Sequence, residues 1–317
     1  MTTRPLSYLT TPFPRVALFT LLLGASAIGF APILVRLSDA GPISTAFWRL
    51  ALALPVLWLG VWWARRRETS LMQPETASGA PLSRRDIAFL AAAGFFFAGD
   101  LILWHLAIKY TSVANATLLP NMAPVFVTIG AWFFFRQRVT RLFLLGLLLA
   151  MGGAALLIGE SFSLSADHLL GDLLALGTAV FYASYLLATK HLRQNMTALT
   201  FMAWSGTFCA LLLLPAALLS GEPFWPGTAA LSAAEVAVGW LVLLTMGVVV
   251  HAGGQGLIAH AMAALPATFS AVSLLWQPVM AAIFAWLLLS ERLSPVQMLG
   301  GLVVLSGILV ARRGSTK

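Results

Sequence analysis

MAPVFVTIGAWFFFRQR, residues Met122–Arg138, and WQPVMAAIFAWLLLSER, residues Trp276–Arg292, place several of the same residues at the same spacing. A gapless shift of 154 residues lays Pro124 on Pro278, Ala131 and Trp132 on Ala285 and Trp286, and Arg138 on Arg292. Carried outward, it lays Gly99 on Gly253, Gly146 on Gly300 and Gly153 on Gly307, while a shift of 153 lays Gly24 on Gly177. The chain therefore reads as two tandem halves, 1–160 and 161–317.

A helix that crosses a bilayer needs ~20 mostly apolar residues. Ten stretches meet this: Val16–Val35, Ile43–Trp63, Ile87–Ile108, Val113–Phe135, Leu142–Ile158, Asp172–Thr189, Ala198–Leu219, Val236–Ala259, Ala267–Leu289 and Val296–Val310. The fifth and tenth are near the minimum length. Five spans per half is an odd number, so the second half enters the bilayer from the opposite side. The expected fold is an all-α membrane protein with ten transmembrane helices in two inverted five-helix repeats, an arrangement many secondary transporters share. Arg4 and Arg15 before an apolar run, with Ala25, Ser26 and Ala27, imitate a cleaved leader. The run continues to Val35, however, and has a counterpart in the second half.

Composition agrees. Of 317 residues, 60% are hydrophobic and 9% charged, against ~45–50% and ~25% in soluble domains. An ordinary water-soluble enzyme is excluded. The single cysteine, Cys209, excludes an intrachain disulfide, a cysteine-ligated metal cluster and a CxxC redox pair. With both termini in the cytoplasm, the cytoplasmic segments hold fifteen of the nineteen Lys and Arg residues. The outer segments hold Arg36, Lys109 and Arg292, and Arg49 lies inside a span. This is the positive-inside pattern of a multi-pass membrane protein. The net charge of +8 follows from that orientation and from contact with anionic lipid heads, so no nucleic-acid partner is expected. Trp62 and Trp63 at one face, and Trp225 and Trp240 at the other, fall where aromatic belts form.

Ionisable groups at depth are costly and mark candidate sites. Arg49 and Asp100 lie roughly 9–12 Å below the outer ends of consecutive antiparallel spans. They read either as an ion pair that ties the first half together or as groups facing a central cavity, where Asp100 could carry a coupling proton. Thr117 and Asn121 are one helical turn apart in span four, beside Pro120 and Pro124. His251 and Gln255 stand at i and i+4 in a glycine-rich part of span eight; Ser273, Trp276 and Gln277 precede Pro278 in span nine. On span six, Tyr182 shares a face with Tyr185. Each of these polar groups has an alternative reading as packing glue between helices. Interrupted spans at matching positions of two halves point to a transport site, which makes Pro124 and Pro278 hinge candidates. No HExxH, Walker A or GxSxG sequence occurs. No catalytic residue, metal site or cofactor is expected.

PISTAFWRL (Pro42–Leu50), KYTSVANATLLPNMAPVF (Lys109–Phe126) and SERLSPVQMLGG (Ser290–Gly301), in this order on a repeated frame, resemble the drug/metabolite transporter superfamily, and within it the EamA-type ten-helix transporters. The acidic residue usual before the fifth span is Gln137 here, although Glu291 stands before the tenth. The resemblance implies a secondary transporter that exports a small metabolite such as an amino acid, aromatic ones included, through a cavity between the halves. It also makes Arg49 the match of the family's span-two arginine. The implied partners are a small-molecule substrate and the lipid bilayer, with the chain a monomer or homodimer. Competing readings are an intramembrane lipid-modifying enzyme and a non-catalytic membrane sensor or scaffold.

Overall fold

A computed structural model of the chain describes residues 14–70, 82–158, 168–228, 232–290 and 293–315. Glu291, Arg292 and the 160/161 division between halves lie outside these residues. In hydrocarbon every backbone N–H and C=O has to be satisfied within the protein, so apolar segments become helices. Among the described residues ten helices are long and apolar enough to cross a membrane. They are α1 (Arg15–Leu37), α2 (Pro42–Arg67), α3 (Arg84–Ala107), α4 (Asn115–Phe135), α5 (Arg141–Ile158), α6 (Leu169–Leu192), α7 (Ala198–Leu219), α8 (Ala233–Met262), α9 (Ala267–Leu289) and α10 (Pro295–Ser315). Among the described residues there is no strand.

Several helices outrun the apolar stretches because polar residues cap them. Ser83 and Asp86 form a reciprocal capping box at the start of α3, as Ser232 and Glu235 do before α8. Span ten, expected to be short, continues through Arg312 and Arg313 to Ser315, and α10 has 21 residues. Ten spans place the start of α1 and the end of α10 on one side, called here the terminal face; the opposite side is the far face.

The repeat is visible in the packing. α3 lies on α6 and α7, while its counterpart α8 lies on α1 and α2; α4 packs on α6 and its counterpart α9 on α1. Inversion is explicit where the counterparts α5 and α10 meet. Phe143 touches Gly314, Gly146 touches Ala311, Ala150 touches Gly307 and Gly153 touches Val304, so the two helices run antiparallel. Association in lipid depends on close steric fit rather than on hydrophobic driving force. The glycines that the 154-residue shift pairs supply that fit at this seam.

The core joins both halves and includes Leu21, Leu50, Leu90, Phe143, Tyr185, Phe201, Met202 and Phe269. Outward, large apolar side chains such as Phe133, Phe134, Leu148, Leu219, Trp286 and Leu302 stand exposed. In water such a surface would aggregate; in a bilayer it is the face that lipid solvates.

Candidate functional site

Proline and glycine interrupt the helices that meet between the halves. In α4, Pro124 has no N–H to give to the carbonyl of Pro120, and the chain tightens into a 3₁₀ turn over Leu119–Met122, closed by Ala123 N–H on the Pro120 oxygen. Asn121 Nδ2 donates to the Thr117 carbonyl at 3.0 Å, serving an acceptor near the break. In α9 the helix stops at Ser273 and resumes at Trp276. There Pro278 cannot serve the carbonyl of Leu274, and Gln277 N–H takes it instead at 2.9 Å. Each break sits just N-terminal to one member of the proline pair.

A narrow, half-open cleft lies where these breaks face α6. Its lining includes Pro120, Asn121, Ala123 and Pro124 of α4, Tyr182 and Leu186 of α6, and Leu274, Leu275 and Gln277 of α9. Pro120 with Leu274, Asn121 with Leu275, and Ala123 with Gln277 are repeat counterparts under the 154-residue shift. The cleft therefore straddles the pseudo-two-fold relation between the halves. Gln277 lies beside the Tyr182 hydroxyl there, and among the described residues its Nε2 is buried with no acceptor at full hydrogen-bond geometry.

A second cluster adjoins the cleft at Tyr182. The rings of Tyr182, Tyr185, Phe97 and His251 follow one another at centroid separations of 6.4, 4.7 and 5.6 Å, with successive planes tilted by 21–22°. Arg49 lies beside this row, its guanidinium carbon 6.0 Å from the Phe97 centroid, in electrostatic reach of Asp100, Tyr182 and Tyr185. Arg49 and Asp100 are both half-buried. Among the described residues neither has an ion-pair partner within 4.0 Å, and Arg49 Nε is buried without a hydrogen bond. A tight Arg49–Asp100 pair is therefore not formed in this conformation. His251 is 1% exposed and both its ring nitrogens lack partners; Gln255, 2% exposed, donates to the Tyr185 hydroxyl at 3.5 Å. Both lie in a ten-residue π-helical stretch of α8, Met246–Gln255. Such wide turns inside a helix occur frequently at functional sites.

The remaining candidates separate from these two clusters. Ser273 is fully buried and its hydroxyl serves the Phe269 carbonyl of its own helix. Trp276 donates to Ser26 Oγ on α1 at 3.0 Å, tying the second half to the first. Thr117 is exposed. Phe97, which links Arg49 to His251, carries no sequence mark, being one of three consecutive phenylalanines. Among the described residues no three His, Cys, Asp or Glu converge on a possible metal position.

Toward the far face, the α7–α8 loop closes over Trp48, the neighbour of Arg49. Trp48 Nε1 donates to the Phe224 carbonyl at 2.8 Å, and Gly41 N–H to that of Pro223 at 2.8 Å. Trp225 and Trp240, placed by the sequence in an aromatic belt, each also pack on Trp48 at centroid distances of 5.0 Å. Glu222 accepts from Ile43 N–H in the first turn of α2 at 3.1 Å and from Lys109 Nζ at 2.8 Å. The lysine is half exposed, which weakens the ion pair; the bond to a helix N-terminus carries more. Glu222→Gln is expected to lower stability by about 1 kcal/mol, read as a drop in melting temperature of the purified protein. An unchanged melt would mean that the loop is held by its aromatic contacts alone. On the terminal face, Lys190 Nζ caps α8 through the Met262 and Ala263 carbonyls at 2.9 and 3.1 Å.

Comparison with known proteins bears on this arrangement. The model of the EamA-like transporter family matches twice, over residues 15–159 and 169–313. An uncharacterized transporter of Archaeoglobus fulgidus is 26% identical over 91% of this chain and 93% of its own length. The pseudopaline exporter CntI of Pseudomonas aeruginosa is 27% identical over 74% of this chain and 78% of its own. A probable terminal-alkyne amino-acid exporter of Streptantibioticus cattleyicolor is 28% identical over 72% of this chain and 74% of its own. One solved crystal structure aligns with 95% of this chain and 96% of its own at a TM-score of 0.73 and 17% identity, and so shares the fold.

Proposed function

Because the chain belongs to the EamA-like transporter family, we propose that it exports a small metabolite, an amino acid or a related zwitterion, across the bacterial inner membrane by alternating access. The observation that carries this reading is the cleft at the seam, lined by counterpart residues of both repeats at the breaks in α4 and α9. Rocking one repeat against the other would bend the chain at Pro124 and Pro278 and open the cleft to either face in turn. Arg49 would meet a carboxylate, Asp100 an ammonium group or a coupling proton, and Asn121, Tyr182 and Gln277 the polar flank of the cargo. His251 and Gln255 would set the polarity of the row of rings that leads from the cleft to Arg49. In this reading both termini are cytoplasmic, no cofactor or nucleic acid takes part, the chain is no enzyme, and it works as a monomer or homodimer. Two relatives carry exporter names, one of them for an amino acid, which supports the direction and the class of cargo.

Proteoliposome flux with a panel of radiolabelled amino acids, nucleobases and cationic drugs tests the proposal. A preceding thermal-shift screen narrows the panel, since a ligand at ~100 times its dissociation constant stabilises by ~2.7 kcal/mol. Flux of a zwitterion is the expected result. Absence of any flux, with product formed from lipid, would instead identify an enzyme. Asp100→Asn should reduce flux about tenfold, on the scale of one hydrogen bond to a charged group, while leaving the melting temperature nearly unchanged. Normal flux in this variant removes Asp100 from both proton and cargo roles.

A further inference from the structure

The end of α2 carries a feature that transport does not use. Arg66 lies over the ring of Trp62 with its guanidinium carbon 4.0 Å from the centroid, and Arg67 lies over Trp63 at 3.6 Å. Side chains on a helix lean toward its N-terminus, and the N-terminus of α2 is at the far face. The two arginines therefore fold back toward the bilayer instead of reaching out to water. The helix continues to Ser70, three residues past the apolar span, and Trp62 precedes the end of that span by five positions, roughly 7.5 Å, which puts the ledges at the margin of the span, where lipid headgroups lie.

Trp62 and Trp63 are 51% and 53% exposed, so the ledges face outward. A guanidinium lying on an aromatic face keeps its in-plane N–H donors free at the edge, where they match two oxygens of a phosphate. Among the described residues neither arginine has an ion-pair partner. Arg84 and Arg85 at the start of α3 add charge to the same terminal face, and the acid beside them, Asp86, is engaged by the hydroxyl and N–H of Ser83. We propose that the Arg66–Trp62 and Arg67–Trp63 ledges form a binding site for the phosphodiester headgroup of an anionic membrane lipid. The tryptophan faces hold the guanidiniums at phosphate depth, and the cationic edge disfavours a headgroup that carries its own ammonium.

Native mass spectrometry of the detergent-purified chain, with dioleoylphosphatidylglycerol against dioleoylphosphatidylcholine, tests this. The anionic lipid should be retained about tenfold more strongly, the scale of a charge-assisted hydrogen bond. Arg66→Gln with Arg67→Gln should remove that preference. Arg84→Gln with Arg85→Gln takes away the same charge from the same face, and should change it by less than about twofold. Trp62→Leu with Trp63→Leu keeps all the charge and should weaken retention as the arginine pair does. Should the Gln pair fail to fold, Arg66→Lys with Arg67→Lys keeps the charge but loses the planar fork, and should still cut retention severalfold. Equal retention of both lipids, equal loss in the two arginine double variants, or displacement of the lipid by inorganic phosphate would each overturn the proposal. The last would point to a soluble anion.

Discussion

Arg49→Met should give a protein that melts no lower than the parent and moves its cargo about tenfold to a hundredfold more slowly. The two halves of this expectation have one cause. Arg49 is half-buried, has no ion-pair partner among the described residues, and leaves Nε buried without an acceptor. An unpaired charge away from water is a cost to the fold, and methionine fills similar length without it. A hydrogen bond from a guanidinium to a cargo carboxylate is worth about 1.5–3 kcal/mol, which sets the loss of flux. If Arg49 instead tied α2 to α3, the variant would melt lower and each surviving molecule would transport normally. Combining it with Asp100→Asn measures coupling between the two positions: a shared ligand makes the double variant no worse than the more damaging single one.

At adjacent positions of α5, Gly153→Leu and Gly152→Leu should have opposite outcomes. A Cβ on Gly153 would stand 2.5 Å from the backbone nitrogen of Val304 and 2.7 Å from the Gly300 oxygen. Backbone of the facing helix cannot swing aside as a flexible side chain would, so α5 and α10 have to separate. The expected cost is about 3 kcal/mol, the upper end of ordinary overpacking, and it should appear as loss of the monodisperse purified protein. A Cβ on Gly152 meets nothing within 4 Å. There leucine would extend into lipid, and exchanging glycine for a good helix former should be neutral or slightly stabilising. Equal behaviour of the two variants would mean that α5 and α10 do not meet at this distance.

Much of the architecture could be read before any coordinates. Ten apolar stretches, the repeat and its inversion follow from length, composition and the 154-residue self-match. The paired interruptions follow from Pro124 and Pro278, because a missing N–H breaks a helix wherever it falls. Other features were not legible. Met246–Gln255 reads as ordinary glycine-rich helix, yet it widens into a π-helical stretch against α1, where Gly254 approaches Gly24. A Trp as deep as Trp276 is more often lipid-facing or core than stacked on a substrate; its bond to Ser26 joins residues 250 positions apart. Thr117 and Asn121 share a helical face in the sequence, but the 3₁₀ turn leaves Thr117 exposed and Asn121 in the cleft.

Which stretches are apolar enough to cross a bilayer was thus decided by the sequence alone, because transfer from water into hydrocarbon depends on the chemistry of a stretch and hardly on its neighbours. Which side of each helix turns inward was decided only by the tertiary structure. In lipid the inward and outward faces are both apolar, so hydrophobicity does not distinguish them and steric fit between helices does. That is why Phe97 could not be told from Phe95 and Phe96, though it alone of the three is buried and stacked on both Tyr185 and His251.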